Sequence, residues 1–131
     1  MDASPADRLR RVAANSTLTL THIGRTSGKP YQVTIWFMVD GDRLFLPTAD
    51  VNRSWVRNVR KTPRVQLAIG EEKFEADAQM ITDDRQRDHV FALVGRKYWY
   101  AFPMILLARL LIALGLRKDT SGAFEATLRQ S

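Results

Sequence analysis

The chain has 131 residues, 45% of them hydrophobic, no cysteine, two histidines and a formal net charge of +6. That length suits one domain with one core, spanning 1–131; the missing cysteines exclude disulfide and thiolate chemistry, and two histidines are too few for an ordinary zinc site. Residues 1–64 carry eleven Lys+Arg against five Asp+Glu, while residues 65–131 carry nine of each, so the positive excess lies in the N-terminal half and favours an anionic partner.

In chain order, Ala6 to Ala14 reads as a short helix, with Pro5 suited to its first turn. The start, MDASPADRLRR, has no apolar run of the signal-peptide kind, and the expected location is the cytoplasm. A first strand is predicted over Thr17–Ile23 and a second over Tyr31–Val39, both rich in β-branched and aromatic residues. Between them lies a polar, basic hairpin, Gly24-Arg25-Thr26-Ser27-Gly28-Lys29-Pro30. Its glycines permit a tight turn and the close approach of a ligand. Arg25 and Lys29, with the hydroxyls of Thr26 and Ser27, suit an anion; a solvated turn explains the same residues equally well.

Asp40-Gly41-Asp42 predicts a tight turn into a third strand, Arg43–Pro47. Asp50 to Arg60 follows as a helix, with Asp50 or Asn52 as its cap. Trp55, Val56 and Val59 form its apolar side, and Arg53, Arg57 and Arg60 a basic one. Such a stripe is ordinarily just solvated, and anion binding is the second reading. Strands over Arg64–Ile69 and Lys73–Ile81 flank a Gly70-Glu71-Glu72 turn, and the alternation of Phe74, Ala76, Ala78 and Met80 with polar residues predicts one dry face. Thr82-Asp83-Asp84 starts a helix through about Val94.

Tyr98-Trp99-Tyr100 then leads into Phe102–Leu116, which is apolar nearly all round, interrupted by Pro103 and Arg109. It is too short to span a bilayer. Burial in the core or in a homodimer interface is the favoured setting, and peripheral contact with a membrane surface through 102–116 is the other. Ala123–Leu128 is a last strand. About six short, mostly antiparallel strands with interspersed helices predict an α+β protein, mainly β, built as a small barrel closed on itself.

No nucleophile–base pair can be assembled. His22 on the first strand reads as structural and His89 as a surface residue. This leaves a cofactor that carries its own reactivity, or binding without chemistry. Trp36 suits a flat ring, although core packing explains it as well.

The hairpin GRTSGKP between two strands, followed by IWF, VDGDRLFL and WVRNVRKTPRVQL, resembles the deazaflavin-dependent nitroreductase family over Leu18–Ile81. The resemblance implies a split β-barrel related to FMN-binding and pyridoxamine-phosphate-oxidase-like barrels. It also implies an oxidoreductase in which reduced coenzyme F420 gives hydride to a small-molecule substrate: a quinone, a nitro compound or an activated alkene. By motif position it assigns Arg25, Thr26, Ser27, Gly28, Lys29 and Tyr31 to the cofactor's phosphate, and Thr34 and Trp36 to its ring. Trp55, Asn58 and Arg60 fall on the helix after the cofactor loop. Tyr98 and Tyr100 fall in the substrate-facing region, one of them as a proton donor. Family members often carry basic residues where this chain has Thr26 and Tyr31, so Arg25, Lys29 and the Arg53/Arg57 face are expected to compensate. Two alternatives stay open: an FMN-dependent reductase on the same barrel, and a non-catalytic binder of haem or lipid. Nucleic acid is not the expected partner, because the basic residues are not interleaved with stacking aromatics.

Overall fold

A computed structural model describes residues 4–129. Helix α1 (Pro5–Val12) is capped by Ser4, whose hydroxyl accepts from the Asp7 N–H. Strands β1 (Leu18–Ile23), β2 (Pro30–Ile35), β3 (Met38–Asp40) and β4 (Arg43–Thr48) follow, then α2 (Ser54–Lys61), β5 (Arg64–Ile69) and β6 (Glu72–Met80). Helix α3 (Asp84–Lys97), a 3-10 turn (Trp99–Ala101), α4 (Phe102–Ala113) and β7 (Gly122–Leu128) complete the chain. The seven strands make one antiparallel sheet in the order β2-β1-β5-β6-β7-β4-β3.

This order forces the sheet to curl. β2 and β3 lie at opposite edges, yet only Trp36 and Phe37 connect them. Three chain steps reach roughly 11 Å, so the two edges must meet there. They meet without pairing, which makes the barrel split rather than closed. The single strand expected over Tyr31–Val39 is therefore two strands, each on its own edge. Nothing in the local pattern marks the break, because Trp36 and Phe37 are strand-forming residues themselves.

Side chains from α3's end mend the seam. The Tyr98 hydroxyl accepts from the Phe37 N–H (3.2 Å) and donates to the Ser16 carbonyl (2.6 Å). Lys97 Nζ donates to the carbonyls of Phe37 (3.0 Å) and Ala13 (3.1 Å), and lies 3.6 Å from the centre of the Phe37 ring. Burial lowers the Lys97 ammonium to about 8, and at neutral pH it remains the charged donor these partners favour.

Two apolar clusters hold the fold. The barrel interior takes alternate residues of the strands, such as Leu18, Leu20, Leu67 and Phe124, and is plugged by Val56 and Val59 of α2. The period-2 pattern read from β6 is correct, with Phe74, Ala76 and Ala78 inside. The second cluster lies on the outer face, where Val90 and Val94 of α3 cover Phe45, Met38 and Ala123. An Arg43–Glu125 ion pair and a Gln86–Glu125 hydrogen bond tie α3 to the β4–β7 ladder.

Helix α4 departs from the core half of the favoured sequence reading. It is not in the core: none of its residues is buried, and Met104, Leu106, Leu107 and Leu110 are each more than half exposed.

Candidate functional site

A cavity of about 540 Å³ opens between the barrel's seam and the two C-terminal helices. That size falls within the range of small-molecule sites. The end of β2 supplies Thr34, the connection to β3 supplies Trp36, the end of β4 supplies Thr48, and the entry to α2 supplies Arg53 and Trp55. Phe91 of α3 and Ile105, Ala108 and Ile112 of α4 make an apolar wall.

The seam places Trp36. Its indole stacks on Tyr98 with ring centres 4.0 Å apart and planes 7° apart. The platform is rigid because Tyr98 is fully buried and its hydroxyl is committed to the backbone of Phe37 and Ser16. Burial also raises the Tyr98 phenol above its ordinary value, so it stays neutral.

The rest of the cavity is cationic. Arg53, Arg87, Arg109, Arg117 and Lys118 border it, against Asp88 and Asp119. The Asp119 carboxyl accepts from the hydroxyl (2.6 Å) and N–H (3.0 Å) of Ser121, which hold it below the usual carboxylate range, with smaller contributions from Arg87 and Arg109. Even with both acids ionised, three positive charges are in excess. Such a rim around low-dielectric walls concentrates anions.

The residues expected to hold a cofactor separate into three groups. Thr34, Trp36 and Trp55 do line the cavity. Asn58 is instead a buried hub between α2 and the hairpin. Its Oδ1 accepts from the Arg25 N–H (3.1 Å) and guanidinium (2.8 Å), and its Nδ2 faces His22 Nδ1 (3.1 Å). Since Oδ1 holds two donors, Nδ2 donates and His22 Nδ1 is the acceptor. Burial lowers the His22 pKa, which keeps the ring neutral for this role.

The third group is the exposed hairpin tip. Thr26, Ser27, Gly28 and Lys29 lie there, outside the cavity lining, as does Arg60 on α2. The Ser27 hydroxyl accepts from the Lys29 N–H and bonds the Tyr31 hydroxyl (3.2 Å). Gly24 lets the Ser27 and Tyr31 side chains close over it: a Cβ there would stand 2.5 Å from Ser27 Oγ and 2.8 Å from the Tyr31 ring, and both would have to shift. Gly28 has φ +70°, which favours glycine.

Tyr98 does not face a substrate; the structure places it in the core beneath Trp36. Tyr100 is exposed on the 3-10 turn, and neither tyrosine borders the cavity. The sequence reading did not assign Arg87, Arg109, Arg117 or Lys118 to a site. The available signal was Arg109, a lone charge in an apolar helix, which was read only as an interruption.

Solved structures share this architecture. A candidate pyridoxamine 5'-phosphate oxidase from Listeria innocua superposes with TM-score 0.69 at 14% identity, covering 96% of this chain and 94% of the other. A conserved hypothetical protein from Mycobacterium tuberculosis gives 0.72 at 20% identity, covering 98% and 82%. HutZ, a haem storage protein from Vibrio cholerae, gives 0.66 at 18%, covering 98% and 93%. The fold is thus the split β-barrel of pyridoxamine-phosphate-oxidase-like proteins. Residues 4–101 match the family profile of F420H(2)-dependent quinone reductase, and the chain belongs to that family.

Proposed function

We propose that this protein is an oxidoreductase that uses reduced coenzyme F420 to reduce a quinone or a related small acceptor. Bound there, the deazaflavin would supply the hydride. The observation that carries the reading is a single cavity that joins a braced aromatic wall to a cationic rim. Those two features suit the two ends of a cofactor with a flat ring and a phosphate.

Trp36 orients the ring, with Tyr98 bracing the indole from behind. Thr34 and Thr48 offer hydroxyls beside it. Arg53 and Arg87 hold the phosphate, the role the resemblance assigned to the hairpin. Phe91 and Ile105 keep water from the reacting faces. The hairpin acts at one remove: Asn58 anchors it to α2, the helix whose first turn carries Trp55. Neither tyrosine borders the cavity, so neither is placed as the proton donor.

A haem reading lacks support at this cavity. His22 is engaged with Asn58 inside the fold, and His89 pairs with Asp40 on the surface at 2.9 Å, so neither histidine borders it. Fluorescence titration with coenzyme F420, run beside FMN, tests the proposal. Binding of F420 at low micromolar or better is expected. Losing two charge-assisted contacts at about 1.5–3 kcal/mol each in Arg53→Ala/Arg87→Ala should weaken it at least tenfold. A preference for FMN would change the cofactor, and binding of neither would overturn the reading.

A further inference from the structure

Helix α4 is apolar on two sides. Met104, Ile105, Ala108 and Ile112 form one stripe, turned to the cavity. Leu106, Leu107, Leu110 and Leu114 form the other at helical spacing, and each is more than half exposed. A helix that is hydrophobic all round is stable in water only if something covers it. The barrel covers neither stripe fully.

The surroundings indicate what does. Trp99 (72% exposed), Tyr100 and Phe102 precede the outer stripe, and Leu116 (74% exposed) follows it. Residues 89–118 contain no Asp or Glu and five Arg or Lys. Arg96 lies beyond the aromatic end, and Arg117 and Lys118 at the other; among the described residues none of the three is in an ion pair. Aromatic residues at one end, leucines between and unpaired cations at both ends match the interfacial layer of a bilayer with anionic headgroups. A second copy fits less well, because two-fold pairing would bring these cations together, and Asp119, the acid that follows Lys118 in the chain, is already held by Ser121. Twelve residues rise roughly 18 Å, far short of the ~30 Å hydrocarbon core, so the helix lies along the surface and does not cross it.

We propose that the face formed by the 3-10 turn and α4 docks on an anionic lipid surface. Helix α4 itself lies beyond the family match, which ends at residue 101, and the docking requires no bound cofactor.

Flotation of the full chain with vesicles tests it, using phosphatidylcholine with and without about one third phosphatidylglycerol. The protein should float with the anionic vesicles and largely stay behind with the neutral ones. Arg96→Glu should weaken binding at least fivefold, about the effect of one cation near such a surface. Leu107→Glu/Leu110→Glu, on the stripe turned from the cavity, should abolish flotation while leaving circular dichroism and F420 affinity unchanged. Trp emission should shift to the blue on binding, and Trp99→Phe should remove most of that shift. Equal flotation of the double glutamate variant would overturn the proposal. So would failure of the parent to float, and a dimer in sedimentation that the double variant dissolves would then assign the face to self-association.

Discussion

The Asn58 carboxamide holds three groups at once: the His22 ring, the Arg25 N–H and the Arg25 guanidinium. Replacing it by alanine strands the buried His22 Nδ1 and leaves the hairpin tied to α2 only by Lys61 Nζ and the Arg25 guanidinium among these hydrogen bonds. Two lost partners predict a destabilisation of about 2–4 kcal/mol for Asn58→Ala, read as a fall in urea midpoint at unchanged slope. A residue that merely touched a ligand would leave that midpoint in place. His22 was legible in the sequence as structural, because a histidine at an inward position of an alternating strand has few other uses. Asn58 was not, since its partners come from β1 and the hairpin, some thirty-five positions away. Arg25 was read correctly as basic, but a charge on a string of letters does not reveal that its own fold has already engaged it.

At the scale of elements, the C-terminal end of α3 is what joins the two sheet edges. Lys97 is charged at pH 7 in an environment that lowers its pKa from 10.5 to about 8. Between those values the unfolded chain binds more protons than the folded one. Stability therefore rises with pH across about 8 to 10.5. Urea unfolding at steps through that window should show the rise in the parent and a flatter profile in Lys97→Met. Most strands were legible because their alternation is local, and α3 because Asp83 caps it by accepting from the Arg85 N–H (2.9 Å). The cap of α2 was misread. Asp50 accepts from the Asn52 N–H within the loop, and Arg53 precedes the helix without a side-chain cap. The break between β2 and β3 was hidden because its cause, Tyr98, lies sixty-one residues away.

Across the whole molecule, the positive field is not where the sequence put it. Residues 65–131 are charge-balanced, yet they supply four of the five cations at the cavity. Folding sends several of that half's acids elsewhere. Glu72 pairs with Arg8 and Asp77 with Arg64 and Arg129, away from the site. Charge counted along a chain therefore misjudges charge gathered in space. Binding steered by such a rim is screened by salt. F420 affinity should fall several-fold between about 0.05 and 0.5 M NaCl, and isothermal titration of Arg53→Ala/Arg87→Ala should show a shallower dependence. A small barrel was legible in the run of short strands; its split was legible only through the family resemblance.

The position of β7 sets an order of assembly. It is made after every other strand, yet it sits between β6 and β4. Until residues 122–128 leave the ribosome, the chain can hold two separate sheets, β2-β1-β5-β6 and β4-β3, with no ladder between them. A chain emerging residue by residue must carry both with open edges until β7 inserts as the keystone.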